Sequence, residues 1–258
     1  MNLILLTSED RIESGEVTLD GYRADHIHTI LKAKAGDTLR VGLVNGPVGK
    51  AVIQEITGRL VRLRLFLEDH LPERPRIDLL LALPRPIMLK KVLFHAASLG
   101  CGRIFLVNAG QVEKSYFHSS LLREHAYYTY LYQGLEQAVH TYLPEVFIFT
   151  RFRVFVEDEL PFLAVDCPIR LLAHPETNEN LWEVMPLTLE DERILLAVGP
   201  EGGWNAFEVK ALIGRGFRSF SMGSRILRVE TAVAALFGQI NLLCMREKLP
   251  NKDNGNYL

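Results

Sequence analysis

The sequence predicts an α/β protein in two parts: a small N-terminal β-barrel, then a mostly parallel sheet covered by helices on both faces. Three observations lead there. Residues 1 to about 70 alternate apolar and polar residues in short runs separated by glycine-containing turns, the period-2 pattern of half-buried strands. From Ile77 onward, short apolar runs alternate with helical segments, the pattern of strand-helix-strand crossovers. Between them, "EDHLPERPR" is charged and proline-containing and reads as a linker. These observations divide the chain into a barrel at 1–72, a sheet domain at 73–249 and a polar tail, "PNKDNGNYL", at 250–258 that is expected to be disordered.

Each element has its own signal. "MNLILL" reads as a first strand, followed by "EVTLDG", "DTLRVGLVNG", "GKAVIQEI" and "RLVRLRLFLE". One helix interrupts them: "ADHIHTILKAK" places Ile27, Ile30 and Leu31 at helical spacing and stops before Gly36-Asp37. Short strands with one helix favour a barrel over a sandwich. In the second part "IDLLLAL" precedes the helical "IMLKKVLFHAASLG". "RIFLVN" precedes a long helical region from about Ser119 to Thr141, and "VFIF" precedes the helical "FVEDELPFLA". "IRLLAHP" and "RILLAVGP" are strands, then come a helix from Ala206 to about Gly214, "SFSMG", and a last helix from about Glu230 to Lys248.

Composition narrows the function classes. Hydrophobic residues at 48% and charged residues at 23% match ordinary globular usage, and no run of about 18 apolar residues marks a membrane span. The N-terminus lacks a basic segment before its short apolar run, so it reads as a strand rather than a secretory signal, and a cytoplasmic location is expected. Cys101, Cys167 and Cys244 are far apart and form no C-x-x-C pair, which predicts reduced structural thiols. His26 and His28 lie two apart, on different faces of a helix, and no other spacing suggests a metal. A net charge of −2 argues against a uniformly basic nucleic-acid binder. Two windows nevertheless contain no acid. Arg85, Lys90, Lys91 and Arg103 lie between Asp78 and Glu113, and Lys210, Arg215, Arg218, Arg225 and Arg228 lie between Glu208 and Glu230. They are either solvated helix faces or a surface for a polyanion.

In a parallel sheet, ligands sit where strands end at their carboxyl edge. "RLLAHPE" ends at His174-Pro175, "RILLAVGPEGG" at Gly199–Gly203, and "SFSMGSRILRVETA" carries Gly223 just before a second charged set. Glycine permits close backbone approach to a ligand and proline fixes φ, so these ends predict rigid loops with free amides and carbonyls, and a side chain at Gly203 would fill space that the backbone leaves open. A phosphate loop does not fit. The spacing is neither G-x-x-x-x-G-K-[ST] nor G-x-G-x-x-G, and Glu201 would repel phosphate.

Taken together, "GPEGGWNAFEV" and "MGSRILRVETAVAAL" closely resemble the signature of the RsmE family of RNA methyltransferases, within the SPOUT superfamily. Met222 stands at the usual leucine and Val229 at the usual threonine. "LLAHPE" is similar to the family's "HP" loop, "GLEQAVHTYLPEV" to its "EQ…P" helix, and the first 70 residues to its PUA-like barrel, so the resemblance covers essentially the whole chain. It implies a deep trefoil knot in the C-terminal domain, a rare exception to unthreaded connections, with S-adenosyl-L-methionine bound there and no metal. The matching positions are Leu172, His174, Gly199, Pro200, Glu201, Gly202, Gly203, Met222, Gly223, Ser224, Arg225, Ile226, Leu227, Glu230 and Thr231. It further implies a homodimer whose partner is ribosomal RNA, in the small subunit or its assembly intermediate, and methylation at N3 of a uridine in 16S (small-subunit) RNA.

These residue types suit that chemistry. Uridine N3 is a poor nucleophile until its proton is lost or the developing anion is stabilised, while a sulfonium donor already carries an activated methyl group. Arg228 and Arg225 are candidates for binding RNA and stabilising uridinate; Glu230 is a base, an orienter of those arginines, or an acid at the first turn of the last helix. Where the family has charged residues, this chain has Ser98, Gln111 and His140, which reads as one charged cluster replaced by a neutral one, and Lys32 stands at a barrel arginine. The other reading is an RNA-binding or ribosome-associated protein that keeps the fold without catalysis. The retained "GPEGG" and "RILRVETA" favour an enzyme.

Overall fold

A computed structural model describes residues 2–186 and 191–246; the tail at 250–258 lies outside the described residues, as does the predicted end of the last helix beyond Arg246. The first strands are β1 (Ile4–Leu6) and β2 (Glu16–Leu19), followed by α1 (Gly21–Asp25), which runs into a π-helical turn at His26–Ile30. Then come β3 (Thr38–Leu43), β4 (Val48–Thr57), β5 (Leu60–Leu67), β6 (Ile77–Ala82), α2 (Pro86–Ser98), β7 (Cys101–Val107), α3 (Ser120–Arg123) and α4 (Tyr128–Ala138). After β8 (Glu145–Phe149), α5 (Phe152–Val154) and α6 (Leu160–Leu163) flank a second π-helical stretch, followed by β9 (Ile169–Ala173), α7 (Leu181–Val184), β10 (Ile194–Val198), α8 (Ala206–Ile213), β11 (Arg218–Phe220) and α9 (Val229–Arg246).

The chain divides into two compact units, Met1–Arg74 with Tyr128–Leu143, and Pro75–Tyr127 with Pro144–Leu258. In the first, a sheet of order β1-β3-β4-β5-β2 is antiparallel except for the β1–β3 pair. Alternation does the sorting here: Val61 and Leu63 of β5 are buried, while Arg62 and Arg64 face outward. All five strands and the α1 segment feed one core, including Leu6, Leu19, Ile27, Val41, Ile53 and Leu63. The π-helical turn corrects the expected helical face. With wider spacing at His26–Ile30, Ile27 points inward while Ile30 and Leu31 are exposed.

The expected long helix from Ser119 to Thr141 is broken. The chain leaves α3 through His125 at positive φ and restarts at Tyr128. α4 then belongs with the N-terminal strands and not with the sheet domain, burying Leu131 and Leu135 beside β1. Thr141 Oγ1 donates to the Gly46 carbonyl at 2.6 Å, and the Leu143 amide donates to Asn45 Oδ1 at 2.8 Å. Glu136 is buried on α4 and accepts from the Tyr22 hydroxyl at 3.3 Å.

Burial pushes the Glu136 carboxyl up to about 7, against a smaller opposing effect from the Tyr22 hydrogen bond. A raised folded-state value means that the native state holds this proton more tightly than the unfolded chain. The associated stability is therefore complete below the ordinary carboxylate range and is lost as pH rises through about 7. Replacing Glu136 with Gln should flatten this fall and stabilise the protein above neutrality by at most about 3 kcal/mol. Urea midpoints at several pH values check it; identical profiles for the two proteins would contradict it.

In the second unit the sheet order is β11-β9-β10-β6-β7-β8 and every pairing is parallel. β6 and β10 are buried along their whole length, which explains why β10 is wholly apolar and β6 is apolar apart from Asp78. After β8 the chain crosses to the far side of β6 and lays down β9. β10 then fills the gap between β9 and β6, and β11 is added outside β9. α9 packs on α2 and β10.

A buried ion network underlies this sheet. Asp78, fully buried on β6, accepts from Arg103 Nε at 2.9 Å and Nη2 at 2.6 Å, and pairs through its other oxygen with Arg193. Arg103 Nη2 also meets Asp166 at 2.6 Å. Gly102 makes room: a Cβ there would lie 2.8 Å from Asp78 Oδ1 and 2.9 Å from Arg193 Nη2. Burial and the Asp78 carboxylate push the Cys167 thiol up to about 12, so it is a neutral, inert group beside the network. Arg103, counted in sequence among the residues of a basic surface window, is thus an internal counter-ion.

Candidate active site

β9, β10 and β11 end side by side, and the loops that follow them enclose a cavity of about 450 Å³, within the range of small-molecule sites. Its walls come from residues 173–175 at the end of β9, 198–204 at the end of β10, and 221–223 with 225–228 after β11, together with Val229 and Ala232 of α9. The loop after β10 is a tight turn in which the Gly203 amide donates to the Pro200 carbonyl at 2.8 Å. It is then stopped by the α8 capping box, where Asn205 Oδ1 accepts from the Glu208 amide and Glu208 Oε2 from the Asn205 amide.

The glycines serve different ends. Gly203 has φ +74° and Gly223 +102°, conformations that side chains disfavour, and a Cβ at Gly203 would meet no protein atom within 4 Å. The need for glycine at 203 is therefore set by the backbone conformation. At Gly199 a Cβ would press on the Trp204 indole at 3.1 Å, and at Gly202 it would lie 3.0 Å from Gln111 Cβ.

Of the residues expected at a site, His174, Gly199, Pro200, Glu201, Gly202, Gly203, Met222, Gly223, Arg225, Ile226, Leu227 and Arg228 all line the cavity. Leu172, Ser224, Glu230 and Thr231 do not. Leu172 is fully buried within β9, Ser224 and Thr231 are exposed, and the Glu230 carboxylate, nearly buried in the first turn of α9, faces Lys91 at 3.6 Å with its other oxygen unpartnered. Glu230 thus sits behind the arginines. Arg225 and Arg228 are exposed and carry no ion pair or side-chain hydrogen bond among the described residues. The Glu201 side chain is exposed and accepts a long hydrogen bond, 3.4 Å, from the Arg85 amide. Sequence reasoning missed Trp204, the buried indole against Gly199, although it directly follows the glycine run.

Two further expectations are corrected. The basic windows are partly spent internally: Arg215 donates to the Glu157 carbonyl, Arg218 to the carbonyls of Glu183 and Val184, and Lys91 pairs with Glu230. Nor do Ser98 and Gln111 share one cluster. Ser98 ends α2, just ahead of the start of β7, and its hydroxyl donates to the Phe94 carbonyl, whereas Gln111 lies beyond the opposite end of β7 against Gly202. Among the described residues no group of three or more His, Cys, Asp or Glu side chains is placed to hold a metal, and no helix is long and apolar enough to cross a membrane.

An all-parallel sheet with a glycine-walled cavity at its carboxyl edge, lined by two exposed arginines without ion pairs among the described residues, defines a class, and the family model for the RNA methyltransferase domain matches residues 72–241. The ribosomal RNA small subunit methyltransferase E of Treponema pallidum is 32% identical over 97% of this chain and 95% of that protein, and its namesake E 1 from Borreliella burgdorferi is 26% identical over 91% and 95%. This chain belongs to the ribosomal RNA small subunit methyltransferase E family. Among solved structures, that of the Neisseria gonorrhoeae enzyme of this name, bound to S-adenosyl methionine, superimposes with a TM-score of 0.76 at 20% identity over 94% of this chain and 98% of that one. A Legionella pneumophila protein with bound SAM gives the same score over 93% and 97%.

Proposed function

We propose that this protein transfers the methyl group of S-adenosylmethionine to N3 of a uridine in small-subunit ribosomal RNA, acting in the cytoplasm as a homodimer. The cavity at the ends of β9, β10 and β11 is the observation that carries the reading. Its residues fit this donor: an apolar floor of Val198, Trp204, Val229 and Ala232 for the adenosyl portion, and loop amides and carbonyls for its polar edges.

The donor, when bound, supplies a methyl group already activated on sulfur. The protein's part is alignment and charge. Uridine N3 gives up its proton to solvent water at the exposed mouth, and negative charge then spreads to the uracil oxygens. Arg228 and Arg225, whose guanidiniums are free at the mouth, neutralise that charge and hold the neighbouring phosphates. Glu230, outside the cavity lining, balances Lys91. The base reaches the mouth flipped or unpaired, because N3 is engaged in a pair.

Gly203→Val tests the donor loop. A β-branched residue at positive φ is strained by about 1–3 kcal/mol, so calorimetry should show donor affinity falling ten- to a hundredfold. Unchanged affinity would remove the loop from the site.

Several finer assignments belong to this reading. The trefoil knot is supported by the cavity that the segment after β11 shares with the loops after β9 and β10. The first unit is read as a PUA-like RNA-binding barrel on its single shared core; its RNA contacts lie away from the acidic recess lined by Glu9, Glu13 and Asp20. Dimerisation is supported by α9, which leaves Leu242 and Met245 exposed opposite its buried face. Light scattering should give twice the 29.2 kDa chain mass at micromolar concentration; the monomer mass would count against it.

A further inference from the structure

The turn after β7 is bound to the loop after β10 by one carboxylate. Glu208, almost fully buried in α8, uses both oxygens on backbone donors: Oε2 accepts from the Asn205 amide at 2.9 Å and Oε1 from the Gly110 amide at 2.6 Å. The first bond closes the helix cap, whereas the second reaches across to a different strand end. Two close approaches show how tightly the turn is drawn in. A Cβ on Gly110 would lie 2.7 Å from Asn205 Nδ2, and Gly202 has its Cβ position 3.0 Å from Gln111 Cβ and 3.4 Å from Gln111 Oε1. Gln111 is exposed and does not itself line the cavity, but its side chain lies against Gly202, which does.

We propose that Glu208 is a positioning residue for methyl transfer: it holds Gln111 against Gly202 at the acceptor side of the site, where the Gln111 amide donates to a carbonyl of the incoming pyrimidine. The inference deepens the proposed function and rests on it. The chemistry of the strut is specific. Two N–H donors converge on one side chain, and only a carboxylate offers two acceptors at that length; an amide would satisfy one and turn its own N–H₂ toward the other. A neutral amide at position 111 suits an acceptor base whose edge carries carbonyl oxygens, and it does so without adding charge beside the sulfonium of the donor.

The test measures Gln111→Ala, Glu208→Gln and the double variant for methyl transfer to unmodified small-subunit ribosomal RNA, for S-adenosylmethionine affinity, and for urea unfolding. Each single change should lower kcat/KM for RNA about tenfold with donor Kd within about threefold, the loss expected from one neutral hydrogen bond. The double variant should be no worse than the poorer single, because Glu208 works through Gln111. Full activity of Gln111→Ala, multiplicative losses in the double variant, or a loss in Glu208→Gln that follows donor Kd or unfolding would overturn the proposal. Gln111, being exposed, gives an answer even if Glu208→Gln fails to fold. Absence of methyl transfer by the unaltered protein would instead refute the function on which the inference rests.

Discussion

Arg228→Ala should lower the rate of methyl transfer by about 10²- to 10³-fold, the usual consequence of removing one group that meets charge developed in the transition state. Donor affinity should change less than threefold. The expectation follows from placement: Arg228 is exposed at the cavity mouth without an internal partner, so its removal strands no buried charge and leaves the glycine loops untouched. Arg228→Lys should recover part of the rate, since it keeps the charge but loses the planar fork. Single-turnover methylation beside calorimetry separates the two effects. Equal losses in rate and donor binding would make Arg228 a donor-binding residue, and an unchanged rate would remove it from the mechanism.

Asp78→Asn should destabilise the second unit by about 3–5 kcal/mol, the range found when one partner of a buried ion pair is removed. Asp78 has no exposure, and it neutralises Arg103 and Arg193 together; the remaining acid, Asp166, is partly exposed and cannot balance both. The substitution keeps the volume, so cavity formation contributes nothing. Urea unfolding measures it, and a loss below about 1 kcal/mol would show that solvent or Asp166 compensates the two arginines.

The parallel sheet was legible because β10 is apolar on both faces and β6 is apolar apart from Asp78, and only strands covered on both sides need such runs. The cavity-lining loop after β10 was legible because glycine and proline constrain the backbone wherever they occur. What stayed hidden depends on partners distant in sequence. Leu131 and Leu135 announce a buried face of α4 but not which unit buries it. Arg103 reads as basic surface in an acid-free window, yet its counter-ions are Asp78 at the window's edge and Asp166 sixty-three positions away. The exposure of Ile30 comes from a π-helical turn, a change in helical period that apolar spacing does not encode. Glu208 was visible only as an acid in a short helix, and its second bond, to Gly110, lies 98 positions back.

The central claim is that this chain methylates N3 of a uridine in small-subunit ribosomal RNA from S-adenosylmethionine. Mass spectrometry of nucleosides from such RNA, after incubation with the purified protein and isotopically labelled donor, tests it most directly. The account predicts labelled 3-methyluridine, formed about 10²- to 10³-fold more slowly with Arg228→Ala; a label on any other nucleoside would contradict the assigned chemistry, and no label at all would contradict the activity.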